Sequence, residues 1–420
     1  MNFQQHYEQI WQDERARVLA TLIRLLGSFD AAEEATQEAF TVALASWPKT
    51  GIPENPRTWL VSTGKHKAVD KLRRRSVQER REEEASRFGG WIATSEAVAP
   101  AQEALMLEGE EMNAVEDDRL RLIFTCCHPS LAEETQVVLT LRTLGGLTTE
   151  AIARAFLKPV ATVAQRLVRA KSKIRDAKIS YSIPRREDLP ERLEAVLLVV
   201  YLVFNEGYGA EPREVDRRAL CSEAIRLGRV LLEMLPHVPD VRGLLALMLL
   251  QHGRAAARFT PVGDLVLLED QDRRAWDAQA IAEGAQLTTE SLRAGVSAYG
   301  LQAAIAALHD QAKTASETDW PQIVGLYDAL LRIQPSPIIE LNRAVALAIH
   351  RGAASGLQAI ETLQGLDEYC PYWAAKAQMF LWTDDPAAAA EAYQRALTLA
   401  KASGDKAQER FFASRLAGIS

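Results

Sequence analysis

Between residues 162 and 173 the chain sets out Thr162, Gln165, Arg166, Arg169, Lys171 and Lys173. Hydroxyl, amide, guanidinium and ammonium groups on one short segment can hydrogen-bond base edges and neutralise phosphates. A second basic run carries Lys65, Lys67, Lys71, Arg73, Arg74 and Arg75. Bond-making chemistry finds much less. Asn205-Glu206 is the one tempting polar pair, and it reads more simply as a helix C-terminus closed by Gly207. His128, His237, His252, His309 and His350 are scattered without HExxH spacing, and no glycine-rich phosphate loop occurs. Cys126-Cys127-His128 has the atoms of a redox or metal trio, but there is no CxxC spacing, and such cysteines read as small apolar residues on a buried helix. The expectation is a protein that is not an enzyme and has neither metal nor cofactor.

The elements that must carry the first set follow from period and breakers. Thr148 or Thr149 caps a helix with Glu150 in its first turn, and Ile152, Ala155 and Phe156 form its inner face. Pro159 forces a turn, and Val160 opens a second helix with an apolar stripe of Val160, Val163, Ala164, Leu167 and Val168. Thr162, Gln165, Arg166 and Arg169 then face outward. Two helices around a tight turn, the second basic, are the pattern of a helix-turn-helix DNA reader. A solvated basic helix in an ordinary bundle is the competing reading.

The whole chain of 420 residues is 48% hydrophobic with a net charge of −7, so it can build several cores and is not basic throughout. Its charge is segregated: 65–81 and 166–178 are basic, and 82–118 is mostly acidic, with Glu82, Glu83 and Glu84 poised to shield the basic helices. Period and breakers predict an all-α protein. A first block, 1–76, holds a helix over 17–26 ending at Gly27, a second over 31–47 capped by Asp30, a stiff loop from Pro48 to Pro56, and a third over 57–75. A charged linker, 77–116, precedes the helix-turn-helix block, 117–180. A helical extension follows over 181–280, with a strongly apolar helix over 193–204 and an irregular apolar stretch from Thr260 to Asp270. In the last block, 281–420, Leu326, Tyr327, Leu330, Leu331 and Ile333 recur as Ala392, Tyr393, Ala396, Leu397 and Leu399, with Ala359, Ile360 and Leu363 halfway. With breaks at Gly352 and at Asp384-Asp385-Pro386, that repeat predicts tetratricopeptide-like stacking of helix pairs.

Several motifs together resemble the bacterial extracytoplasmic-function (ECF) RNA polymerase sigma factors. The run from Asp30 to Phe40 resembles their region 2.2; Asn55-Pro-Arg-Thr-Trp-Leu60 and Ala68-Val-Asp-Lys-Leu-Arg-Arg74 resemble regions 2.3 and 2.4; residues 117–179 resemble region 4. Tyr201–Tyr208, the stretch 264–277 and the repeats resemble the subgroup with a long tetratricopeptide-like extension. The resemblance implies that Asp30, Glu33, Glu34, Gln37 and Glu38 dock on the polymerase clamp, although acids also suit any helix N-terminus. It implies that Asn55, Arg57 and Trp59, beside Ser46 and Lys49, form a pocket for bases of the melted strand, although a Trp at the helical spacing of Trp59 is more often core. Lys65, His66, Lys67, Lys71, Arg73 and Arg74 would then follow promoter DNA, and His66 stands where relatives often carry Asn. Gln165, Arg166 and Thr162 are the expected base readers of region 4, with Arg169, Lys171 and Lys173 on phosphate.

The implied partners are core RNA polymerase, promoter DNA and a protein bound to the repeat domain. No membrane partner is expected, because the longest apolar run, 195–204, is too short to cross a bilayer. The N-terminal residues lack the look of a secretory leader, which points to a cytoplasmic setting. The alternative is a stand-alone helix-turn-helix regulator whose repeat tail senses a protein or ligand; it has no need of residues 30–75.

Overall fold

The computed structural model describes residues 3–85, 111–156, 158–185 and 187–419, without the side chains of 12, 72, 74–85, 111–117, 154 and 216. The side chains of Arg74 and of Glu82–Glu84, and linker residues 86–110, therefore lie outside the described residues. Regular structure among the described residues is helical, with one isolated antiparallel bridge between Phe259 and Leu265. The helices form two compact units, Met1–Val199 and Val200–Ser420.

The first unit opens with α1 (Phe3–Leu26), α2 (Phe29–Thr50) and α3 (Pro56–Ala85). Gly27, at φ +66°, ends α1 and returns its N–H to the Ile23 carbonyl at 2.8 Å. Ser28, not Asp30, caps α2: its Oγ accepts from the Ala31 N–H, and Asp30 sits in the first turn. Ala32, Ala35, Thr36, Ala39, Phe40, Ala43 and Trp47 make the buried face of α2 at three- and four-residue spacing. The helix runs through Pro48, which the sequence placed in a loop. Pro48 has no N–H to give and its ring crowds the carbonyl four residues back, and the helix runs only two residues past it before Gly51, whose N–H reaches the Trp47 carbonyl at 2.9 Å. Asn55 starts α3 by accepting the Thr58 N–H at 3.1 Å, with Pro56 next in the first helical turn. Gly64 lets α3 approach its neighbours: a Cβ there would lie 2.9 Å from Leu22 Cδ1 and 3.1 Å from the Ala35 carbonyl oxygen.

Four more helices follow in this unit: α4 (Glu111–Cys126), α5 (Glu133–Thr143), α6 (Thr149–Ala155) and α7 (Val160–Asp176). Thr148 Oγ1 caps α6 by accepting the Ala151 N–H at 3.1 Å. Cys126 and Cys127 are buried beside Thr143 and Thr140, and burial pushes the Cys127 thiol up to about 12. They are therefore inert thiols of the core.

Helix α8 (Leu189–Tyr208) contains the boundary between the units. It is longer than the expected 193–204, and Gly207 lies inside it rather than closing it. A Cβ at Gly207 would stand 2.7 Å from the Cys221 amide nitrogen, so the glycine serves close packing against α9 (Val215–Met234). In the second unit α10 (Pro239–Gly253) is buried along nearly its whole length, from Val241 through Leu250. It packs on α9, α11 (Ala278–Ala294) and α12 (Ala298–Gln311). Helices α13 (Trp320–Ile333), α14 (Pro337–Arg351), α15 (Ala353–Ile360), α16 (Cys370–Trp382), α17 (Pro386–Ser403) and α18 (Lys406–Ala417) continue as hairpins, each core shared with the next. The first helices of the last three pairs start at Trp320, Ala353 and Pro386, each 33 residues after the one before, close to the 34-residue period of a tetratricopeptide repeat.

Two glycines test this packing in opposite directions. A Cβ on Gly243 would lie 2.4 Å from the Gly300 amide nitrogen, backbone that cannot yield, whereas one on Gly325 in α13 meets nothing within 4 Å. Denaturant unfolding of Gly243→Ala should show a loss of about 3 kcal/mol. Gly325→Ala should gain roughly 0.5–1 kcal/mol through helix propensity.

Candidate nucleic-acid interface

Helix α7 divides into two faces. Val163, Leu167, Ala170 and Ile174 are buried, spaced four, three and four residues apart. Val168, expected in the apolar stripe, lies off that line and is 67% exposed, and Val160, which continues the line, is exposed at the first position of the helix. Val168 therefore shares the open face with Gln165 and Arg169, and Lys173 is exposed beyond them. Thr162 is half-buried. Arg166 leans back onto α5, where its Nη2 meets Glu134 Oε2 at 2.5 Å.

Lys171 does not face solvent with that group. Its Nζ reaches Asp30 Oδ1 at 3.0 Å and Glu33 Oε2 at 2.5 Å, both on α2. Arg142 of α5 takes the other Glu33 oxygen at 3.0 Å through Nε and anchors itself on the Leu147 carbonyl at 3.1 Å. Buried Arg15 of α1 lies against the same corner, donating to the Arg142 carbonyl at 3.2 Å. Burial pushes the Glu33 carboxyl up, but the Lys171 hydrogen bond and the charges of Lys171, Arg142 and Arg15 outweigh it and hold Glu33 below the usual range. Burial pushes Lys171 down, and Glu33 and Asp30 outweigh that, leaving it raised. Burial and the Arg142 charge bring Arg15 down to about 10, against the pull of Glu33.

The same junction continues along α4. The Asp118 side chain is fully buried and is held by Arg24 Nε of α1 at 2.9 Å and Arg121 Nη1 at 2.6 Å. The Tyr181 hydroxyl lies 2.9 Å from the carbonyl oxygens of both Ala20 and Asp118, and burial raises its pKa well above the ordinary value. The α1–α3 bundle and the α4–α7 bundle thus form one body rather than two separate bundles.

The remaining residues singled out in the sequence fall into distinct places. Glu34 pairs with Lys71 on the exposed α2–α3 surface, Gln37 is exposed, and Glu38 lines an open groove with Lys67, Asp70 and Lys71. Lys65 is half-buried, Lys67 and Arg73 are exposed, and His66 places Nδ1 2.7 Å from the Ser62 carbonyl. The residues assigned to a melted-strand pocket do not gather in one cavity. Ser46 and Lys49 line a groove of about 410 Å³ on α2 with Thr41 and Val42. Asn55 is committed to its cap, and Arg57 is clamped by Glu14 of α1 at 2.6 Å. The Trp59 ring tilts against buried Trp47 with centroids 5.3 Å apart. Glu14, Arg15, Asp118 and Tyr181 escaped sequence reasoning because each acts across more than forty positions of chain. Val168 was legible: only 163, 167, 170 and 174 keep a strict inward line.

The sequence pattern of sigma-70 region 2 matches residues 10–78, that of sigma-70 region 4 matches 121–174, and a family of unknown function, DUF6596, matches 192–292. An uncharacterized protein of Rhizobium meliloti, R00370, is 40% identical over 416 residues, covering 96% of this chain and 94% of that protein. The probable ECF RNA polymerase sigma factor SigI of Mycobacterium tuberculosis is 25% identical over 173 residues, covering 41% of this chain and 56% of that protein.

Glu33→Gln should lower the stability of the first unit by roughly 1–3 kcal/mol, because three cations lose their shared carboxylate. The depressed Glu33 pKa means its contribution is complete above the ordinary value of about 4.3 and is lost as pH falls through the folded-state value. The raised Lys171 pKa means its contribution is complete below about 10.4 and is lost as pH rises through the folded-state value. Unfolding midpoints of wild type and Glu33→Gln should therefore differ at pH 7 and draw together as pH falls below about 4.3; a gap that does not narrow there contradicts the assignment.

Proposed function

We propose that this chain, which carries sigma-70 regions 2 and 4 and is similar to an ECF sigma factor, joins core RNA polymerase and places it on promoters through α2, α3 and α7. The observation that carries this reading is the open face of α7, where Gln165, Val168 and Arg169 stand together on a helix packed by its opposite side. Gln165 offers an amide suited to adenine edges, Val168 offers an apolar surface suited to a thymine methyl, and Arg169 offers charge for phosphate. Lys65, Lys67, Lys71 and Arg73 provide the backbone track on α3. The Lys71–Glu34 pair is exposed on both sides and costs little to exchange for a phosphate contact. Ser46 and Lys49 in the α2 groove, with the Trp59 ring nearby, receive the melted strand, and Arg57 joins them only after leaving Glu14.

The polymerase-facing acids Asp30 and Glu33 are the partners of Lys171, a phosphate candidate. In this closed arrangement the two functional surfaces neutralise each other. Engagement of polymerase and DNA then requires α7 to separate from α2, and we assign control of that step to the C-terminal helical extension. Its stacked hairpins suit a peptide or a helix of a protein partner. A factor of this kind works in the cytoplasm, beside the polymerase. No helix among the described residues is long and apolar enough to cross a membrane.

Transcription reconstituted from core enzyme and the full chain, with start sites mapped, tests the reading; a stand-alone regulator would instead shift promoter DNA without core enzyme. Gln165→Ala should relax discrimination at one upstream base by about 1–3 kcal/mol. Arg169→Ala should weaken all sites alike and reduce the salt slope by about one. Removal of residues 210–420, which spares Tyr181 and Arg192 of the first unit, should change promoter-specific activity, and unchanged activity would rule out control by the extension.

A further inference from the structure

The second unit contains a cavity of about 320 Å³ between the end of α8, the start of α9 and the turn after α10. Its walls include the Tyr208 ring, Ala210, Val215, Ala219 and Phe259, so most of its surface is apolar. Its basic side chains are Arg218, Arg258 and His252, beside Ser222 and Cys221, and no carboxylate lines it among the described residues. Arg258 is fixed in place. Its guanidinium lies over the Tyr208 ring at 3.7 Å and its Nη1 donates to the Tyr208 carbonyl at 2.8 Å. Arg218 makes no side-chain hydrogen bond or ion pair among the described residues, and its charge is felt at both His252 and Cys221.

His252 adds an independent observation. Its Nδ1 is sealed from solvent and has no hydrogen-bond partner. A buried polar nitrogen without a partner asks for one. Burial, aided by Arg218 and opposed by Asp277, holds the imidazole below its ordinary pKa, so at neutral pH it is uncharged and has one N–H to give. Glutamates close in sequence are engaged elsewhere: Glu206 and Glu214 hold Arg217, and Glu211 holds Arg410. The cavity thus keeps uncompensated positive charge beside an apolar wall, at a volume typical of small-molecule sites.

We propose that this cavity binds a small organic carboxylate, its anionic end between Arg218, Arg258 and the imidazole of His252 and its apolar body against Tyr208, Val215 and Phe259. Such a ligand supplies acceptor oxygens to Arg218 and to the N–H groups of Arg258 that the Tyr208 carbonyl leaves over, and it covers the apolar wall. An inorganic anion would use only half of the site, and a neutral analogue only the other half. The site goes beyond promoter recognition and is tested without polymerase or DNA, so its fate is separate from that reading.

The test is isothermal titration and thermal shift of the full chain with benzoate, hexanoate and 4-phenylbutyrate as probes, and with benzamide and inorganic phosphate as controls. At least one carboxylate should bind saturably at one site, with a Kd of about 1 mM or tighter. Benzamide and phosphate should each bind at least roughly tenfold more weakly. Arg218→Gln, on an exposed position of α9, should weaken the carboxylate by roughly 10–100-fold with the unfolding midpoint of the free protein unchanged. Ala219→Phe, also exposed, should block the cavity and abolish binding. The proposal fails if none of the carboxylates binds, if benzamide or phosphate binds as tightly, or if carboxylate binding survives both substitutions.

Discussion

One carboxylate, Glu33, decides how the first unit is arranged. It projects from α2 and is shared by Arg142 of α5 and Lys171 of α7, with Arg15 of α1 close behind. Three cations concentrated at one corner would repel one another without it, and the carboxylate would be poorly solvated without them. Ion-pair clusters of this kind add less net stability than apolar packing of equal volume, because each charge must shed water first. They add geometric definition instead: only one docking of the two bundles satisfies every member. They also leave the junction sensitive to salt and to competing polyanions, since a phosphate can replace a carboxylate on Lys171 with little loss.

Helix α7 shows how one element serves packing and exposure together. Its inward line of Val163, Leu167, Ala170 and Ile174 fixes its rotation. That rotation alone determines that Val168 must be solvent-facing although it is apolar. A large exposed aliphatic side chain in the middle of a basic helix forfeits burial energy of about 1.5–3 kcal/mol. The residues on either side, Gln165 and Arg169, are polar and open, so the valine forms a small apolar step on an otherwise hydrophilic face.

Sequence periodicity conveyed the helices and their breaks because the signals are local. Gly27, Pro159, Gly352 and Asp385 stop or start helices through their own backbone preferences, and the 33-residue repeat needs only counting. Errors arose where local rules compete. Asp30 and Ser28 both qualify as caps, and the backbone chose the residue just after the Gly27 turn. Proline usually breaks a helix, yet α2 continues through Pro48 and ends two residues later at Thr50. Gly207 can cap a helix or admit a neighbour, and only the nearness of the Cys221 amide decides between them. The clamp of Arg57 by Glu14 and the burial of Asp118 under Arg24 were invisible, since nothing in one sequence says which distant charges will meet.

The second unit solves a related problem with different means. Close backbone approach, at Gly243 against Gly300 and at Gly284 against Leu250, locks α10 among α11 and α12. Deep in the same frame Arg254 faces Asp310 at 3.4 Å, both nearly inaccessible, and burial raises Asp310 to about 6 against the pull of Arg254 and Arg273. A frame so constrained has little freedom to collapse around a void at its edge. The space beside Tyr208 and Arg258 lies at the edge of that frame and is lined by the stacked Arg258–Tyr208 pair itself. Arg258, held by the Tyr208 ring and carbonyl, loses little entropy when an acceptor arrives, whereas Arg218, exposed and without a side-chain partner, is ordered by the acceptor itself.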